Sequence, residues 1–388
     1  MDLRKKNEKL EKEIREYERK MKKADEEIEK KYKKLKVEFK IKNTELENKI
    51  KENKKMKNQI NKQIEENKEM KNQIKEITKK YQRLKQLYNN NLTTEERLRE
   101  HLDIKIPEDL KEKNLIIGKF NIESKNNLYR ILNHSDDNYK EITESSKIFL
   151  DDKEINFTHQ FEEQKIYEIK YIFNNLLKNT NKMFSDCTSL FSLNLSNFNS
   201  KNITDMKSMF FNCCNLLSLN FENFNTKNVT IMESMFYKCE KLKLLDLFYF
   251  KTEKVTNMSG MFSNCFSLTS IILSSFITNN VNDMSWMFYS CSSLIDLDLS
   301  NFNTDKVTNM RYMFADCSSL ETLDLSNFKT SKLNNINNMF SNCTSLVILN
   351  LSNLVVNENC IINGIFNRLN ENCNVQTNDK ILLKLLNN

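Results

Sequence analysis

From residue 183 onward, apolar residues return at fixed offsets every 26 positions, without an insertion or a deletion across seven copies. Met-Phe pairs stand at 183, 209, 235, 261, 287, 313 and 339, each followed by Cys four residues after the Met and by Leu seven after it. Two further apolar positions, ten and twelve residues after the Met, are two apart, so they share one face of a short strand. Positions 20, 23, 26, 27 and 30 after the Met carry Val, Met, Met, Phe and Cys in the commonest pattern. Their spacing of about three predicts one face of a short helix. Each period therefore reads as a strand, a turn and a short helix, with both apolar faces inward. Stacked at about 4.8 Å per coil, seven of them predict an α/β repeat solenoid with a continuous parallel sheet along one side. A period of 26 lies within the range of leucine-rich repeats.

Upstream the pattern changes twice. Within residues 108–180, NLIIGKFNI, SKIFLDDKEINF and QKIYEIKYIF alternate apolar and polar residues with period two, and DDKE reads as a hairpin turn. A small, mostly β module placed directly before the repeats is expected to cover their open N-terminal end. Residues 1–105 carry a seven-residue rhythm instead: Ile14, Met21, Ile28 and Leu35 form one row, and Leu3, Leu10, Tyr17 and Ala24 the other. These rows are the a/d seam of a coiled coil and predict a homo-oligomer. The last segment, 361–388, reads as a degenerate repeat that caps the far end.

Composition narrows the function classes. Three glycines and one proline in 388 residues leave little material for loops that cradle phosphates. Residues 1–100 hold 32 Lys and Arg against 21 Asp and Glu, and the remainder 28 against 32, so the basic charge belongs to the helix. Its run from Lys75 to Lys85 holds a single aromatic, Tyr81, and no known binding motif, and nucleic-acid binding is not expected. Met1-Asp-Leu-Arg-Lys-Lys shows no apolar signal core, and no stretch has the length of a membrane span. A cytoplasmic location is expected, with the cell surface as the alternative.

The repeats resemble those of the BspA-like leucine-rich repeat family, also found in mycoplasma lipoproteins and protist surface proteins. The motif M-F-x2-C-x2-L-x2-L-x-L-S-N-F-x-T-x2-V-T-x-M is clearest at 287–310. The resemblance implies a solenoid over residues 181–360 and a role in adhesion or protein binding. It brings no catalytic residue.

Candidate chemistry is sparse. The aligned cysteines lack zinc-type spacing; disulfides between neighbouring coils are open in principle, and a ladder of buried thiols is the favoured reading. His101, His134 and His159 have no paired nucleophile, so neither an enzyme nor a cofactor is expected. The departures from the repeat are more informative. LDLFYFKT at 245–252 replaces the LDLSNFNT of 297–304. Leu244, Phe248 and Tyr249, joined by Ile272 one coil on, put apolar side chains where most sister coils carry polar ones. A second cluster is Trp286, Tyr289 and Tyr312. Both are candidate protein-binding surfaces.

Overall fold

The computed structural model describes residues 104–386. The heptad positions Leu3 to Leu35 and the basic run lie outside the described residues.

The N-terminal module is built as its alternation predicts. Strands β1 (Leu115–Asn121), β3 (Ser146–Leu150), β4 (Lys153–Ile155) and β6 (Ile166–Phe173) form an antiparallel sheet, and β2 (Leu128–Arg130) pairs with β5 (Thr158–Gln160). One short helix, α1 (Tyr139–Ser145), completes it. The predicted DDKE turn is real: Asp151 and Asp152 both take positive φ, 48° and 62°, as a two-residue hairpin turn demands. The other edge of β1 pairs antiparallel with β7 (Leu190–Asn197), the strand of the first coil. One six-stranded sheet, ordered β4-β3-β6-β1-β7-β8, thus runs from the module into the solenoid. The first coil's edge is paired instead of left open.

Seven coils follow with the 26-residue period. Their strands are short: β8 (Ser218–Asn220), β9 (Leu244–Asp246), β10 (Ser270–Ile272), β11 (Thr322–Asp324) and β12 (Ile348–Leu351). An eighth turn adds β13 (Asn374–Thr377), parallel to β12, and α2 (Lys380–Leu386), which buries Leu382.

Two expectations need correction. The predicted parallel sheet is not continuous. It breaks into the pairs β7/β8 and β9/β10 and the triple β11-β12-β13, with no strand assigned to coil five. The unbroken row is elsewhere, in single-residue parallel bridges running from Asn179 through Asp205, Ile231, Asn257, Asp283, Asn309 and Asn335 to Ile361.

The predicted helix of each coil is absent as well. Its place is taken by a string of turns whose amides bond alternately within the coil and to the next one. In coil four, Met261, Ser263 and Cys265 donate to Met258, Gly260 and Phe262 three residues back. The amides between them, on Met258, Gly260, Phe262 and Asn264, donate to Asp283, Ser285, Met287 and Tyr289 of coil five at 2.7–3.0 Å. An α-helix would close every amide on its own chain. Here half of them stitch coils together. The reason is a pair of left-handed residues in each coil, one before the Met (Ser208, Ser234, Gly260) and one three after it (Asn212, Lys238, Asn264), all with φ between 54° and 61°. No helix passes through such positions. A spacing of three suits a chain of three-residue turns as well as it suits a helix, and that is why periodicity misread the segment.

The interior is ordered by columns. Met, Phe and Cys of the motif and the Leu seven after each Met are buried throughout. The rings from Phe184 to Phe366, one per coil, stack with centroids 5.4–6.2 Å apart. All ten cysteines are free thiols. From Cys213 to Cys343 each thiol of the ladder donates to the carbonyl of a Phe in the preceding coil, as Cys291 Sγ does to Phe262 O at 3.2 Å. Buried Thr side chains form another column: Thr278 Oγ1 donates to Asn303 O and accepts from Asn303 N, both at 2.7 Å.

Candidate interaction surfaces

The strand and the corner after it are held by two polar side chains in most coils. Eleven residues after the Met, six copies carry Asn or Asp, whose oxygen accepts the amide two residues on; Asp246, Asp298 and Asp324 do so at 2.9–3.0 Å. Fourteen after the Met, Asn301 donates to Leu273 O and Phe276 O of the previous coil at 3.0 and 2.7 Å. Asn327 repeats this against Leu299 and Phe302. These bonds explain why S-N and D-L-S recur: they close the corner and tie it to the coil below.

Where the sequence singled them out, coil four gives up the first device and coil three the second. Ile272 stands at the eleventh position and has no oxygen to offer. Tyr249 stands at the fourteenth and has no amide to give. Leu244, Phe248, Tyr249 and Ile272 remain exposed, at 60, 57, 47 and 44 %. Leu244 and Ile272 lie on the outer face of the β9/β10 pair, offset by one outward position. Phe248 and Tyr249 are instead the two corner residues of the Leu247–Phe250 turn and touch edge to face, with ring centroids 5.6 Å apart. The four residues therefore wrap from a sheet face onto a corner.

Trp286, Tyr289 and Tyr312 do come together. Trp286 and Tyr312 stack 4.0 Å apart at 7°, and Tyr289 meets the Trp286 ring edge-on at 4.7 Å. The Arg311 guanidinium lies 5.9 Å from the centre of the Trp286 ring. Burial, with the Asp316 carboxylate adding to it, pushes the Tyr289 phenol above its ordinary pKa. Both Trp286 and Tyr312 occupy the left-handed position before the Met, at φ 61° and 55°. For a bulky side chain this costs roughly 1–3 kcal/mol.

Other members of this surface escaped the reading of the sequence. Phe211 and Tyr237, two residues after their Met, stack at 4.7 Å, and between Tyr237 and Tyr289 the column holds only Ser263. Gly260, one of three glycines in the chain, stands just before Trp286 in the other column. Its place in the period was visible from the sequence, but not its left-handed backbone. Among the described residues no group of His, Cys, Asp and Glu is arranged to hold a metal ion.

Residues 178–273 and 267–378 match the family described as "Mycoplasma protein of unknown function, DUF285". The two matches together span more than half of the chain. The chain belongs to this family. No curated protein and no solved structure matches it. The DUF285 region coincides with the coils, ending in the eighth, and leaves most of the N-terminal module outside. Its repeat solenoid is compatible with the BspA-like resemblance of the motif. The description of this family assigns no function to the DUF285 protein. No described helix is long and apolar enough to cross a membrane.

Proposed function

We propose that this protein is a non-enzymatic protein-interaction scaffold that docks a partner on the outer face and corner of coils three and four. One observation carries the reading. Leu244, Phe248, Tyr249 and Ile272 are exposed apolar side chains, and two of them displace residues that in sister coils bond the fold together. Apolar surface retained at the expense of internal hydrogen bonds is the mark of a contact made outside the chain. Resemblance to BspA-like leucine-rich repeats, a group linked with adhesion and protein binding, supports the same reading and suggests the cell surface as one setting for it. Pairing through the heptad rows at 1–105 would present two such faces and raise avidity for a target with two sites.

The test places a photo-crosslinking phenylalanine analogue at Phe248, or at Ser300, the corresponding position two coils on. Both proteins are irradiated in lysate of the source cells. A defined protein captured from position 248 and not from 300 supports the docking face. The same products from both positions would dismiss it. Brief trypsin treatment of intact cells, which cleaves only surface-exposed chains, decides the location.

A further inference from the structure

The two ends of the solenoid's sheet are finished differently. At the N-terminal end β7 receives an antiparallel strand, β1, and the sheet runs on to β4, a short edge strand that carries Lys153 and Glu154. A short, charged edge resists further pairing. At the C-terminal end the sheet stops at β13, which reads Asn374-Val-Gln-Thr377 and holds neither a charge nor a proline. Among the described residues no strand pairs with its outer side. The α2 helix directly after it adds exposed apolar surface at the same end, with Leu383, Leu385 and Leu386 at 41, 37 and 36 %.

One contact fixes the direction of the backbone groups in β13. Asn374 N donates to Val347 O at 2.8 Å. In a parallel ladder alternate residues turn both N–H and C=O to the same neighbour. Asn374 and Gln376 therefore face β12, and Val375 and Thr377 face the open edge. Backbone groups alone would accept many strands, but the spacing here is self-complementary. A two-fold axis through Gln376 sets Val375 of one chain opposite Thr377 of another, twice, and each such pair exchanges two hydrogen bonds. Gln376 then meets its own copy, and a primary amide both donates and accepts. Asn374 lies across from Asn378. The antiparallel order also brings the end flanked by Glu371 to the end flanked by Lys380, so opposite charges meet and like charges do not. We propose that β13 pairs antiparallel with β13 of a second copy of this chain, centred on Gln376, and joins two solenoids tail to tail. The chain already closes its other end by adding an antiparallel strand.

Hydrogen exchange of the full-length protein tests this directly. The Val375 and Thr377 amides should be protected in the wild type at micromolar concentration. Protection should be lost in Gln376→Lys, which sets like charges opposite each other and replaces an exposed side chain. Oxidation of Gln376→Cys gives a second reading. Residues at the centre of such a pair have Cα atoms about 4.5 Å apart, within reach of a disulfide. A 376–376 disulfide, identified by mass spectrometry, should form readily, whereas Asn374→Cys, about 13 Å from its counterpart, should not link to itself. Pairing through the heptad rows would leave these readings unchanged, so the two associations are separable. Fast exchange of both amides in the wild type overturns the proposal. So does protection that survives in Gln376→Lys, which would mean that another segment covers the edge, or a disulfide that is absent at 376 or forms equally at 374.

Discussion

Asn301 allows the corner argument to be tested in both directions. Its amide donates at 3.0 Å to Leu273 O, which also accepts the Phe276 amide, and at 2.7 Å to Phe276 O. In Asn301→Ala the first carbonyl keeps a partner and loses about 0.5–1 kcal/mol, while the second has no other protein partner and loses about 1–2 kcal/mol. The expected destabilisation is about 1.5–3 kcal/mol. Tyr249→Asn is the reciprocal change. It returns an amide above Phe221 O and Phe224 O, worth about 1–2 kcal/mol. It removes a ring that is half exposed, whose burial contributes about 1 kcal/mol. Tyr249→Asn should therefore leave the protein as stable or more stable by up to about 1 kcal/mol, although it deletes a large aromatic side chain. Urea unfolding followed by circular dichroism measures both, with the slope m required to stay constant. A destabilisation of Tyr249→Asn beyond about 1 kcal/mol would show that the ring is structural, and the docking proposal would lose its main support. Asn301→Ala without effect would show that the corner bonds contribute nothing to be forfeited.

Other consequences can be checked on the same protein. Thr278→Val keeps the shape of the side chain but strips both 2.7 Å bonds from the Asn303 backbone, and should cost about 2–4 kcal/mol by urea unfolding. Thr256→Val, whose hydroxyl makes one exposed bond to Thr230 O, should cost less than about 1 kcal/mol. Under native conditions a thiol reagent should label Cys214 and Cys373, which are half-buried, well before the buried ladder from Cys187 to Cys343; labelling of the ladder at equal rates would mean the coils open freely. Burial pushes the Cys265 and Cys343 thiols up to about 12. The unfolded chain releases these protons near pH 9 and the folded chain retains them, so stability is full below about pH 9 and falls between about 9 and 12. Each such thiol contributes up to about 1.4 kcal/mol per pH unit. Melting temperatures at pH 8 and 10 should differ accordingly, and equal values would refute the burial of the ladder.

The sequence by itself determined the period and the inward columns, because these follow from which residues must avoid water. Leu245 and Leu247 alternate inward whatever the details of the backbone, and Cys every 26 residues can only be a column. It also marked Leu244, Phe248, Tyr249 and Ile272 as departures, since a repeat supplies its own standard of comparison. Backbone hand and hydrogen-bond destination were not legible. Val-x2-Met-x2-Met-Phe-x2-Cys is spaced like a helical face, but left-handed residues such as Ser208 and Asn212 turn the segment, and its amides then reach the next coil. Ser and Asn disclose that tolerance weakly, and Trp286 and Tyr312 conceal it. A pattern along one chain fixes which residues share a column, while packing between coils decides which way each one points and what it leaves uncovered.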